Sequence, residues 1–278
     1  MLVELHAHSY YSKRGKVHFD GIHSPEQMIA RAHQLGLNAI TLADHDTMAG
    51  LPRAKRFAAK KGIMIIPGEE VSSANGHVLA IGIQETVPPG LTVWETVDRI
   101  REQGGIAIAA HPFDIKKEGV RYLARNCDAV EVFNPLNAER IGNDKARAFA
   151  EKHRMPMTAG SDAHTIDMLG YGMVRVQAHD TEDVLKAINK GRTTLVTEYA
   201  PLKVIMDYAV ARLQLSYDQV MHYMDENYIW PKRIVGKKML GLVNRSPGKI
   251  DYLFRVLAYA SFGSVVMYSM SREVLGIR

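Results

Sequence analysis

The sequence predicts an α/β fold: a closed or nearly closed barrel over residues 1–200, followed by a mostly helical extension over residues 201–278. Seven short apolar runs of strand length are spread along the first 200 residues. Amphipathic stretches of helical period lie between several of them, and near Tyr199 the alternation stops. A doubly wound open sheet is the alternative arrangement for the same alternation.

The predicted strands cover residues 2–5, 38–43, 63–67, 78–83, 106–110, 129–133 and 155–159. Ser24-Pro25-Glu26 predicts a helix start, because a serine side chain accepts from the orphan N–H groups of the first turn and proline fits the first helical position. Gly36 and Gly62 predict helix ends, each directly before a strand, and Gly104-Gly105 does the same ahead of IAIAA. Beyond Tyr199, VARLQLSYDQVMHYMDENY reads as helix. A basic stretch follows, with Arg233, Lys237, Lys238 and Arg245 spaced to share a helix face. The nineteen residues YLFRVLAYASFGSVVMYSM carry one charge, Arg255. Their length is near the minimum for a membrane span, but that arginine, Gly263 and several Ser and Tyr favour a helix packed on the barrel or at a subunit contact.

Residues 201–278 hold 11 Lys+Arg against 6 Asp+Glu, which leaves 24 of each in residues 1–200. The whole excess of positive charge therefore sits in the extension, as either a solvated basic face or a surface for an anionic partner. Cys127 is the single cysteine, so an internal disulfide is excluded and any metal site must rest on histidine and carboxylate. With no pattern of a secretory signal at the start, the expected setting is reducing and cytoplasmic.

Histidines and acids recur where the predicted strands end. His6 and His8 follow the first strand, Asp44, His45 and Asp46 the second, and Glu69 and Glu70 the third. His77 heads the fourth, His111 ends the fifth, Asn134 the sixth, and Asp162 and His164 the seventh. Taken singly these are ambiguous: DHD and SDAH suit helix caps, and AHPF a strand stopped by proline. In an α/β barrel, however, the carboxyl ends of the strands converge on one face. Six imidazoles and several carboxylates there would be a costly polar cluster unless they held divalent cations, and they are too many for one ion.

HAHSYYS, TLADHDT, PGEEVSSANGH, AHPF and GSDAH, in that order, resemble the motifs of the PHP family (polymerase and histidinol phosphatase domains) over roughly residues 1–200. The resemblance implies a distorted (β/α)7 barrel and hydrolysis of phosphate esters by a metal-activated water, with two or three ions of zinc, manganese or iron. It carries the metal-ligand role onto His6, His8, His45, Glu70, His77, His111, Asp162 and His164. Asp162 is also expected to accept the proton of the attacking water, and His45 to take part in catalysis. Family members often continue the first motif as HSxxSDG, whose aspartate helps to hold a third metal; here Lys13 takes that place. The expectation is then a two-metal site, unless His18 or another group substitutes, with Lys13 or Arg14 contacting the substrate phosphate.

The expected substrate is a small phosphomonoester or nucleotide. The runner-up is a nuclease acting on DNA or RNA ends, since the extension interleaves Arg and Lys with Tyr228, Trp230 and Tyr252. A non-catalytic, metal-stabilised binding module is the third reading. Contact with a membrane surface is disfavoured, and oligomeric state is not fixed by the sequence.

Overall fold

The computed structural model describes residues 1–13 and 19–246, with isolated positions between 252 and 271. Ten strands and eight α-helices are seen among the described residues. In chain order they are β1 (Leu2–Ala7), α1 (Pro25–Gln34), β2 (Ala39–Leu42), α2 (Leu51–Ala59), β3 (Met64–Ile65), β4 (Gly68–Ser73), β5 (Gly76–Ile81), α3 (Val93–Glu102), β6 (Ile106–Ala109), β7 (Ala129–Phe133), α4 (Ile141–His153), β8 (Met157–Ala159), β9 (Gly172–Arg175), α5 (Thr181–Asn189), β10 (Thr194–Thr197), α6 (Leu202–Leu215), α7 (Tyr217–Asn227) and α8 (Lys232–Val243). Short 3-10 helices at Arg121–Asn126 and Ile166–Met168 fill two connections.

The strands form two five-stranded mixed sheets, ordered β10-β9-β1-β2-β3 and β4-β5-β6-β7-β8. All seven expected strands are present, but the expectation of one parallel sheet is corrected. β5 runs antiparallel to both β4 and β6. Only Ala74 and Asn75 separate β4 from β5, and so short a link can join strands only as a hairpin. β9 and β10 are also antiparallel additions, at the edge of the first sheet. Single bridges, His45 to Glu70 and Ala7 to Ala163, connect residues of one sheet with residues on or beside the other.

Local chemistry explains the elements that carry the site. The Ser24 side chain accepts from the Gln27 amide and the Gln27 side chain returns the bond, a reciprocal cap that starts α1 where the sequence predicts it. Gly36 and Gly62, at φ of +72° and +67°, turn the chain out of α1 and α2 into the following strands, a conformation that costs glycine nothing. Strand alternation then sorts side chains. On β5, Val78 and Ala80 join the cluster packed with Val93, Val97 and Ile100 of α3. Leu79 and Ile81 join Val3, Leu5, Ile108 and Ala129 in a cluster to which both sheets contribute. A third cluster seats α1 and α2 through Met28, Ile29, Ala54 and Ala58, and α6 leans on it with Val204 and Tyr208.

The tail is helical over α6 to α8, as expected, and Ser216 breaks the first predicted helix in two. Among the described residues no helix is long and apolar enough to cross a membrane. The apolar stretch from Tyr252 to Met270 lies mostly outside the described residues, as do Arg14 and His18.

Leu79 is 1% exposed and serves the cluster shared by both sheets. Leu79→Ala is expected to cost about 2–5 kcal/mol of stability, read by denaturant unfolding.

Candidate metal centre

Each residue of the cluster arrives by a short, explicable route. His6 and His8 are two apart along β1 and its continuation, so both side chains take one face. Glu69 and Glu70 are adjacent on β4 and must point oppositely. Glu70 enters the cluster, while the Glu69 carboxylate accepts from the Val87 amide at 2.5 Å. His77 sits at the start of β5 rather than at its end. Because β5 runs antiparallel, its start lies at the same rim as the end of β6, where His111 follows. Asp46, His111 and Asp162 hold positive φ values of 54°, 27° and 48°. Backbone strain of that kind in non-glycine residues is typical of functional sites, where the surroundings over-determine it.

The structure brings together all eight residues named as ligands from the sequence. Glu70 is 1% exposed and lies 3.3 Å from His6 Nε2, 3.3 Å from His8 Nε2, 3.4 Å from His45 Nδ1, 2.9 Å from His77 Nδ1 and 3.1 Å from His111 Nε2. Asp162 Oδ1 lies 3.4 Å from His6 and 3.2 Å from His8, and His164 packs its ring on His8 with centroids 4.4 Å apart.

Asp20 is the group the sequence reading missed. Its Oδ2 is 2.9 Å from His164 Nε2 and 3.3 Å from His45 Nε2. The alternative that another group substitutes for the acid missing at Lys13 is met by Asp20-Gly21, seven residues further on. Lys13 itself is exposed and bridges through its backbone to Phe19.

Outer contacts set the histidine tautomers. His164 Nδ1 donates to the Asp162 carbonyl at 2.7 Å, and His6 Nδ1 to Glu131 Oε1 at 2.9 Å. His8 Nδ1 is 3.2 Å from Ser12 Oγ. In each ring the other nitrogen is thereby turned toward the carboxylates, the arrangement of a metal-binding imidazole. Glu131 does more: its Oε2 accepts from the His111 amide at 2.9 Å and from the Asn134 side chain at 3.2 Å, and Asn134 also donates to Asp162 Oδ2 at 3.1 Å. Glu4 accepts from the amides of His6 and Ser161. Burial pushes its carboxyl up to about 7. Glu4 and Glu131 were legible in principle, as charges inside otherwise apolar strand runs.

Three groups of donors lie within ion-binding distance: His6, His8, Glu70 and Asp162; His8, Asp20 and His45; His45, Glu70 and His77. Each pair of groups shares one residue, His8, Glu70 or His45. His6 Nε2, His8 Nε2, His45 Nδ1 and His77 Nδ1 are buried and face Glu70 oxygens without an aligned hydrogen bond. Bare nitrogens aimed with carboxylates at common points fit divalent cations, and the imidazole and carboxylate donors suit zinc, manganese or iron. The overlap of the groups calls for two or three ions.

Electrostatics agree. Burial alone would raise the pKa of Glu70, but His45, His77 and His6 hold it well below the ordinary carboxylate value. Asp162 is held low against the same burial, chiefly by His6 and His164. Burial alone would lower His8 and His111. Asp162 and Glu70 instead lift His8 to about 10, and Glu70 lifts His111 to about 9. Protons thus take the cations' place when none is bound.

A buried cluster of metal-donor side chains on an α/β scaffold fits a metal-dependent hydrolase, and comparison with known proteins narrows the class. Residues 140–193 match the family described as PHP-associated. An uncharacterised protein of Methanocaldococcus jannaschii is 33% identical over 152 residues, 52% of this chain and 89% of that one. A 5'-3' exoribonuclease of Haemophilus influenzae is 32% identical over 109 residues, 38% of this chain and 37% of that enzyme, so the chain spans little more than a third of it. Among solved structures, a two-domain protein from Bacteroides vulgatus containing a predicted PHP-like metal-dependent phosphoesterase superposes with a TM-score of 0.59 at 19% identity, covering 71% of this chain and 65% of that one. The chain belongs to the PHP family, and its fold is that of a PHP-like metal-dependent phosphoesterase.

Two outcomes are expected. Glu131→Gln should weaken metal binding about tenfold to a hundredfold, read by titration of stripped protein, because the charge orienting His6 is lost. In chelator, the protons on His8 and His111 stabilise the fold fully below the unfolded histidine value of 6.5, and that stability is lost as the pH rises through about 9 and 10. The melting temperature of chelated protein should fall over that window. Added Mn2+ should bind more tightly as the pH rises and release protons, seen by calorimetry in two buffers.

Proposed function

We propose that the protein hydrolyses a small phosphomonoester or a nucleotide, with residues 1–200 as the catalytic unit and residues 201–278 as an extension. The observation that carries this reading is the set of three donor groups meeting at His8, Glu70 and His45. His6, His8, His45, Glu70, His77, His111, Asp162, His164 and Asp20 would hold the ions. Divalent ions bound there supply Lewis acidity, making water acidic enough to attack near neutral pH and offsetting charge on the phosphoryl oxygens.

The chain's own groups divide the remaining work. The Asp162 side chain is 11% exposed where that of Glu70 is 1%, so Asp162 is the carboxylate that incoming water can reach. Asn134 fixes Asp162 Oδ2 and leaves Oδ1 facing the cluster, where it would accept the water's proton. His45, shared by two donor groups, would tie their geometry together. Lys13 follows Ser12, whose hydroxyl contacts His8, and from there would reach the outer oxygens of a phosphate. Arg14 would share that role.

The bridges from His45 to Glu70 and from Ala7 to Ala163 support a reading of the two sheets as one distorted (β/α)7 barrel. Free, buried Cys127 supports a cytoplasmic setting. A nuclease is the second reading. It is favoured by the exoribonuclease relative and by the basic extension, and it calls for oligonucleotide binding that weakens steeply with salt.

Stripped protein should lose turnover of a chromogenic phosphoester and regain it with Mn2+ or Zn2+. Glu70→Gln should not regain it. Activity untouched by chelation would defeat the reading. Lys13→Ala should raise KM several-fold at constant kcat; an unchanged KM would remove Lys13 from the site.

A further inference from the structure

The cluster's residues lie before position 165, yet one of them is gripped from beyond position 200. Tyr208, Arg212 and Ser216 recur every four residues on α6 and its C-terminal cap and therefore share a face. All three reach the segment Phe19-Asp20. Arg212 Nη2 lies 2.8 Å from Asp20 Oδ1, and Arg212 Nε donates to the Phe19 carbonyl at 2.8 Å. Tyr208 donates its hydroxyl to the Asp20 carbonyl at 3.1 Å, and Ser216 Oγ accepts from the Phe19 amide at 3.3 Å. The Tyr208 ring also lies against that of His164, with centroids 5.0 Å apart.

The geometry divides the two oxygens of Asp20. Oδ1 is taken by the guanidinium, while Oδ2 faces His164 and His45. A carboxylate with one oxygen fixed by a charge-assisted bond can turn only so as to present the other. Asp20 has 5% of its side chain exposed and lies thirteen residues beyond the end of β1, so β1 alone does not determine its orientation.

We infer that α6 is a working part of the metal centre, with Arg212 a positioning residue that holds Asp20 in place for one ion, the one shared with His8 and His45. This rests on the proposed metal-ion reading and deepens it: the extension supplies the outer support of that one donor group. Arg212 needs no contact with substrate for this role. The other two groups, built on Glu70, owe nothing to α6.

The test uses full-length protein, stripped of metal and titrated with Co2+, following visible absorption and final metal content. Wild type should take up two or three ions. Arg212→Ala and Arg212→Met should bind one of them about tenfold to a hundredfold more weakly, leave the remainder at wild-type affinity, and lower kcat on a chromogenic phosphoester at constant KM. Arg212→Lys should recover part of the loss, as a point charge without the planar fork. Asp20→Ala should lose the same ion, and adding Arg212→Ala to it should cost nothing more. Melting curves show which variants are folded, and Arg212→Met keeps the packed stem if alanine does not fold. Wild-type affinity for every ion in a folded Arg212 variant would overturn the inference while leaving the metal centre intact. So would a change confined to KM, which would place Arg212 on the substrate. Wild-type protein that takes up no Co2+ would overturn the metal reading itself, and this inference with it.

Discussion

One buried carboxylate organises the donor cluster of this molecule. Glu70 stands within 3.4 Å of five imidazoles that come from four separate stretches of chain. A carboxylate so completely withdrawn from water is tolerable only among positive charge, whether from ions or from protons on those rings. The ends of β1, β2 and β6 and the β4–β5 hairpin must therefore meet at one place, and the polar residues behind them must keep each ring turned the right way. Glu131 shows how economically this is done, since a single side chain orients His6, receives the His111 amide and steadies Asn134.

The antiparallel course of β5 follows from the same constraint. A parallel strand would put His77 at the far end of the sheet, some 16 Å or more from Glu70, given about 3.3 Å of rise per residue over a six-residue strand. The two-residue link after β4 reverses the chain and returns the start of the next strand to the rim. The left-handed backbone of His111 and Asp162 belongs here too, because both must bend away from the strand direction to face the centre.

Most of the cluster was legible in the sequence because its members sit at strand ends, where apolar runs stop and polar chemistry begins. The eight residues from His6 to His164 carry that signature. Asp20 does not, since no apolar run of strand length precedes it and its partners are fixed only by folding. Glu4 and Glu131 were passed over because a charge inside a strand reads as an interruption of the apolar pattern, although burial makes it the more telling sign. β9 and β10 escaped for the opposite reason: GMVR and TLVT are only four residues each, β9 buried between β10 and β1 and β10 a partly exposed edge strand, and runs so short carry too weak an apolar pattern to mark them. The reversal at β4–β5 was legible in Asn75-Gly76, a pair with strong turn chemistry, Gly76 taking φ +132°.

His6 and His164 bracket nearly the whole of the donor set, and Asp162 comes almost last. On a growing polypeptide His6 and His8 are made well before Glu70, and more than 150 residues before Asp162, the two acids that face them. Until Asp162 is made, the donor group of His6, His8, Glu70 and Asp162 is incomplete. Tight capture of ions is deferred until the two sheets have closed around them, which ties maturation of the centre to completion of the fold rather than to any local segment.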